Sequence, residues 1–196
     1  MKNKVKTRTI GVTEADRGCG ATHFSLALAN CLSSRLRRKT ALVEFEKDEL
    51  RSALSNDFEY REGMYHFAYL GFEVFTPVNQ QELEQILQLP FEEIVIDFGY
   101  NQSVSHAFAG CDHQFITGSL VPFRRQNFFR TLNALENFFV SSQKGKRTCL
   151  SLYGNINLYK RCERKFSVFF RKMPFIEDPE MLSHKEVSNL LNLLEE

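Results

Sequence analysis

Residues 9–32 read T-I-G-V-T-E-A-D-R-G-C-G-A-T-H-F-S-L-A-L-A-N-C-L: an apolar strand, a glycine-bearing loop and a helix with one apolar face. Glycines in such a loop let successive backbone N–H groups turn toward one anion, at the positive end of the following helix. That is the chemistry of phosphate binding. In the pattern G-x-x-x-x-G-K-S/T the lysine reaches the outer phosphates and the hydroxyl holds magnesium. Here Gly20 and Thr22 stand at the last glycine and the hydroxyl, but Ala21 stands at the lysine and Ala15 at the first glycine. The segment therefore predicts a nucleotide-binding architecture and speaks against competent ATP hydrolysis. One lost charge-assisted hydrogen bond costs about 1.5–3 kcal/mol, or about tenfold to a hundredfold in affinity. Weak ATP or ADP binding with magnesium survives such a loss, through backbone amides and Thr22. Catalysis does not, because phosphoryl transfer depends on positioning and on positive charge placed against developing negative charge.

The elements that must hold this loop alternate along the chain. Strands are predicted at 9–13, 40–45, 72–76 (stopped by Pro77), 91–99, 113–119, 148–153 and 172–176. Helices are predicted at 22–36, 48–54, 80–89, 103–109, 125–140, 158–170 and 183–194. The helix after the loop carries Phe24, Ala27, Leu28, Cys31 and Leu32 at i, i+3, i+4, i+7 and i+8, one buried face. Phe128, Leu132, Leu135 and Phe139 do the same for 125–140, and Val187, Leu190, Leu191 and Leu194 for 183–194. The stretch 55–71 shows no clean period. This alternation predicts an α/β class, a single domain over 1–196 with a mostly parallel sheet and helices on both faces. Such sheets bind ligands outside the carboxyl ends of their strands. Residues 16–22, Glu44, Glu46, Asp97 and Asn155 all fall at such ends.

The chain has 196 residues, 43% of them apolar, enough for one well-packed core. Its net charge of +1 names no partner, but the charge is unevenly spread. Residues 41–100 carry three Lys/Arg against thirteen acids, whereas 123–172 carry twelve against two. Such blocks either meet partners or cancel against each other in the fold. Five cysteines lie scattered without a metal-binding spacing, which fits reduced thiols. Cys19, in the loop beside a helix start, is the one position where a thiolate would be favoured. No signal peptide or spanning helix is expected, which implies a cytoplasmic protein.

The loop resembles the deviant Walker-A loop of the ParA/MinD family of P-loop ATPases, K-G-G-x-G-K-T-S/T. At those positions stand Asp16, Arg17, Gly18, Cys19, Gly20, Ala21, Thr22 and His23. Two glycines and the threonine match; both lysines are replaced, by Asp16 and Ala21. Residues 41–46, A-L-V-E-F-E, resemble the family's acidic second-strand motif, with Glu44 and Glu46 at its aspartate positions. Residues 91–99, F-E-E-I-V-I-D-F-G, resemble the Walker-B strand, which gives Asp97 a magnesium-holding role beside Thr22. Residues 150–155 resemble the strand ending in the adenine-reading asparagine, here Asn155, and 173–179 the proline loop beside the base, here with Pro174. The resemblance implies the family's fold, ATP or ADP with magnesium, and a homodimer formed across the nucleotide. If the chain is active, Glu44 and Asp97 are its catalytic carboxylates.

With both lysines gone, the resemblance points to a pseudo-ATPase that positions, scaffolds or regulates an assembly through a protein partner. Within the family it is similar to TadZ/CpaE-type relatives that accompany pilus or secretion machinery. One alternative is an active ATPase in which Arg17 replaces lysine. Another is a nucleic-acid-binding module, or a module for an anionic surface, using the basic and aromatic 123–172 region. The acidic end of the last helix lacks the basic amphipathic character of MinD-type membrane anchors.

Overall fold

A computed structural model of the chain describes residues 6–54, 59–61, 63–100, 106–139, 145–154, 156–166 and 168–195. Among the described residues nine strands form one sheet: β1 (Arg8–Glu14), β2 (Thr40–Phe45), β3 (Glu59–Arg61), β4 (Met64–Tyr69), β5 (Phe72–Val78), β6 (Glu93–Gly99), β7 (His113–Gly118), β8 (Lys146–Ser151) and β9 (Phe169–Lys172). Their spatial order is β3-β4-β5-β2-β6-β1-β7-β8-β9. From β5 to β9 every pairing is parallel, while β3 and β4 add an antiparallel extension at one edge. The α/β class and mostly parallel sheet are as expected from the sequence.

The central strands are buried on both faces, so they read as continuous apolar runs rather than alternating ones. Ile10, Val12, Leu42, Val74, Val95, Phe115 and Leu150 pack on the face that carries α1 (Ala21–Asn30), α2 (Glu49–Leu54) and α7 (His184–Glu195). Ala41, Val43, Ile94, Ile96, Ile116, Cys149 and Phe170 pack on the other face. That face carries α3 (Gln80–Ile86), α4 (His106–Ala109), α5 (Arg125–Phe139) and α6 (Ile156–Phe166). At the middle of β1, a Cβ on Gly11 would lie 2.9 Å from both Cys111 Sγ and Phe108 Cδ2, so α4 seats directly on bare backbone.

Several expected boundaries move. The helix after the loop is α-helical only to Asn30 and continues as a π-helical turn over Cys31–Arg35. Its predicted face of Phe24, Ala27, Leu28, Cys31 and Leu32 is buried as expected. The predicted 72–76 strand runs through Pro77 to Val78, because the β2–β5 register shifts between Val43 and Phe45 and the proline sits exposed at that irregularity. The predicted 158–170 helix ends at Phe166. Val168 and Phe170 are buried while Phe169 between them is half exposed, the two-residue period of a strand, and this is β9. The segment 173–176, predicted as a strand, is irregular. Residues 103–105, 140 and 167 of the predicted elements lie outside the described residues.

The two charge blocks lie on opposite sides of β1 in the sheet. The acidic 41–100 segment supplies β2 through β6 on one side of β1, and the basic 123–172 segment supplies α5, β8, α6 and β9 on the other. Among the described residues no helix is long and apolar enough to cross a membrane.

All five cysteines are free and buried. Burial pushes the Cys31 thiol up to about 11 and the Cys111 thiol to about 12. Cys19, the candidate thiolate, is fully buried, and burial followed by the Glu14 charge raises its pKa. Since the thiolate is the reactive form, the native protein should leave all five thiols unreacted with Ellman's reagent on mixing and release all five in denaturant. A fast native thiol would contradict this packing.

Candidate functional site

In the loop between β1 and α1 the backbone N–H groups of Gly18, Cys19 and Ala21 gather on one acceptor. Gly18 and Gly20 both adopt left-handed conformations, with φ of 73° and 84°. Alternating glycines of this kind turn neighbouring N–H groups to one side. The group that they meet is the carboxylate of Glu14, at the end of β1, which accepts from Cys19 N at 2.9 Å. Burial raises the Glu14 pKa, the backbone N–H groups of Cys19, Ala21 and Gly18 oppose the rise, and the nearby charge of Asp97 adds to it.

Thr22, at the start of α1, and Asp97, on β6, are brought to one shared partner. Both are held by the ammonium of Lys47, with Nζ 2.7 Å from Thr22 Oγ1 and 2.8 Å from Asp97 Oδ2. The same nitrogen lies 3.8 Å from carboxylate oxygens of Glu44 and Glu49. Asp97 is fully buried, and its other oxygen accepts from Gly99 N at 2.9 Å. Burial alone would lower the Lys47 pKa, but the charge and hydrogen bond of Asp97, with Glu44 and Glu49, outweigh it and raise the value. Lys47 arrives because Glu46 adopts a left-handed φ of 55°, turning the chain after β2. Its stem then crosses Gly99, where an added Cβ would meet Lys47 Cε at 3.0 Å.

Glu44 sits fully buried below this cluster. Its carboxylate accepts from Glu49 N and Leu50 N, each at 3.0 Å, and from the Thr76 hydroxyl. Burial raises its pKa, and the Thr76 hydroxyl and Leu50 N–H oppose that. These bonds cap the start of α2 and pin the turn carrying Lys47, so the carboxylate is engaged in holding backbone. Glu46 is exposed.

The remaining sequence-derived positions surround the loop. The Arg17 guanidinium carbon lies 5.8 Å from the Tyr100 ring centroid, so its charge is directed at that ring. Asp16 faces Arg124 at 3.8 Å, and Arg124 also reaches Cys19 Sγ at 3.8 Å from the segment after β7. His23 Nε2 lies 3.0 Å from the Ile176 carbonyl oxygen. Met173 packs over Gly20, whose added Cβ would lie 3.2 Å from its Cε. Pro174 is half-buried in the same segment, which therefore lies against the loop, while Asn155 is outside the described residues. Sequence reasoning missed Glu14 and Lys47. The available signals were an acid closing β1 and a single lysine inside the acidic run Glu44, Glu46, Asp48, Glu49.

Thr22 and Asp97 are the positions expected to hold magnesium beside a nucleotide. The two side chains that would hold the metal are bonded to an ammonium, and the loop's donors are turned on a carboxylate.

No model of a protein family matches the sequence, and no curated protein matches it. The fold is that of solved plasmid-partition, MinD and ParA proteins. A putative plasmid partition protein from Borrelia burgdorferi B31, bound to AMPPNP, is 13% identical, with 97% of this chain and 98% of that chain covered at a TM-score of 0.66. The MinC:MinD cell division complex of Aquifex aeolicus gives 13% identity, coverages of 97% and 96%, and a TM-score of 0.64. A ParA family ATPase from Chlorobium tepidum gives 12%, 97%, 92% and 0.58 in the same order.

Removing Lys47 leaves the Asp97 charge buried without its partner. Breaking such a pair costs about 3–5 kcal/mol, and the lysine side chain is 19% exposed, which favours the lower end. Lys47→Met should therefore destabilise the protein by about 3 kcal/mol in urea unfolding. Adding Asp97→Asn should recover most of the loss. A double variant as unstable as the sum of both single variants would show that the two residues are not coupled.

Proposed function

We propose that this chain is a ParA/MinD-like protein that has left phosphoryl transfer behind and works as a positioning, scaffolding or regulatory protein through contacts with other proteins. The observation that carries this reading is the loop itself. Its backbone cradle persists while Ala21 and Asp16 occupy the two lysine positions, and the one ammonium at Thr22 and Asp97 comes from outside it. Stabilising a transferring phosphoryl group requires positive charge aimed at its oxygens. Arg17, directed at Tyr100, supplies none there. Nucleotide binding is accordingly weak or absent.

The protein-contact half of the reading rests on the rim of the same face. Phe123 after β7, Tyr153 after β8, and Phe175 and Met181 after β9 are 81%, 64%, 80% and 80% exposed. Large apolar side chains gathered outside strand ends, beside polar residues, mark interaction surfaces. The solved Aquifex neighbour is a complex of MinD with MinC, and an association of that kind, or a homodimer, suits this rim. The likeness of the loop to TadZ/CpaE-type proteins makes a pilus or secretion assembly in the cytoplasm the setting to examine.

Phosphate release from ATP with magnesium tests the enzymatic half. The expected result is a rate no higher than that of Asp97→Ala. Brisk turnover that Asp97→Ala abolishes would overturn the reading.

A further inference from the structure

The loop's donors and the carboxylate–hydroxyl pair beside them are occupied by groups of opposite charge from the same chain. We propose that Glu14 and Lys47 are built-in stand-ins for phosphate and divalent cation, so that the site is held permanently filled and excludes nucleotide. This rests on reading residues 14–22 as a phosphate loop.

Three features carry it. First, the left-handed Gly18 and Gly20 shape the loop around an anion, and the anion present is the Glu14 carboxylate, on Cys19 N at 2.9 Å. Cys19 and Ala21 are buried, where an N–H group without an acceptor is costly, and a carboxylate of the adjoining strand removes that cost without a ligand. Second, Lys47 Nζ bonds both Thr22 Oγ1 and Asp97 Oδ2, at 2.7 and 2.8 Å. A single positive charge there balances one buried carboxylate and asks for no phosphate oxygens to complete its surroundings. Third, the stand-ins are tethered. Glu14 is five residues from its donor, and Glu44 pins the Lys47 turn through Glu49 N and Leu50 N. A tethered group competes at a high effective concentration. An incoming triphosphate must displace both groups together.

A filled site of this kind does not cycle. The rim of Phe123, Tyr153 and Phe175 then presents one arrangement to a partner whatever the nucleotide level.

Thermal unfolding and calorimetry on the full chain test the proposal, with inorganic phosphate and ATP–magnesium as the probes. The melting temperature of the wild-type protein should not move with either probe. Glu14→Ala should melt lower and regain most of the difference in phosphate, which refills the cradle. Glu14→Ala combined with Lys47→Ala should bind ATP–magnesium at least about tenfold more tightly than wild type. Should these variants fail to fold, Glu14→Gln keeps an acceptor oxygen while removing the charge, and should show the same phosphate response in smaller measure. Hydrogen exchange at the Cys19 and Ala21 amides gives a readout on the unaltered chain. Slow exchange that ignores phosphate supports the proposal; fast exchange that phosphate slows overturns it. Glu14→Ala melting like wild type and ignoring phosphate would also overturn it. Wild-type binding of ATP–magnesium without turnover would overturn this inference and leave the non-hydrolysing reading standing, whereas brisk turnover would remove both.

Discussion

A fully buried aspartate at the carboxyl end of the central strand constrains everything around it. Asp97 has no solvent, so its charge must be met by groups the fold supplies. One oxygen is met by the Gly99 N–H and the other by Lys47. That second contact requires the chain to turn back after β2, which it does at Glu46, and requires a bare position under the lysine stem, which Gly99 provides. It also requires the turn to be held still. Glu44 does this from below, accepting two backbone N–H bonds at the start of α2 and the hydroxyl of Thr76 from β5. Three neighbouring strands are thus committed to placing one ammonium.

The same constraint explains the role that Glu44 plays. As the first acid of the second-strand motif it resembles a water-orienting carboxylate, and its extra methylene shifts such a group by about 1.5 Å. In the fold that added reach places its oxygens on Glu49 N and Leu50 N, each at 3.0 Å. A side chain already accepting two backbone bonds and a hydroxyl bond is a poor base for a passing water. Its residue type and position resemble the family motif, while its contacts are those of a helix cap.

The sheet, the alternation of helices and the buried faces of α1, α5 and α7 were legible because their apolar residues recur at 3.6-residue or continuous spacing. Phe24, Ala27 and Leu28 announce α1 by their spacing alone. The π-helical turn at Cys31–Arg35 leaves no such mark, since it changes the backbone without changing which side is apolar. β9 was hidden because Phe166, Val168, Phe169 and Phe170 supply apolar residues at both helical and strand spacing, and the in–out–in burial emerges only when β8 lies beside it. The β3–β4 extension was illegible for a related reason. In β4, His66 and Phe67 are adjacent and both buried, which breaks two-residue alternation. For the site, the loop, Thr22 and Asp97 could be placed by position in a pattern. Glu14 and Lys47 could not, because neither belongs to a pattern and their roles arise from turns that bring distant charges together.

Charge placement across the sheet connects the filled site to the surface around it. The acidic block builds β2 to β6 and the basic block builds α5 through β9, with β1 and its loop between them. The loop therefore lies at the boundary of two fields of opposite sign. Glu14 belongs to the strand at that boundary and accepts from the loop's backbone, while Lys47, from the acidic side, pairs with Asp97 and Arg124, from the basic side, with Asp16. Arg124 pairs with Asp16 at the loop's mouth, so that charge is met from within the chain. A surface that has satisfied its own charges in this way gives a highly charged small ligand little to gain. The same face also exposes the large apolar side chains of Phe123, Tyr153 and Phe175, and apolar surface is what another protein can bury with gain.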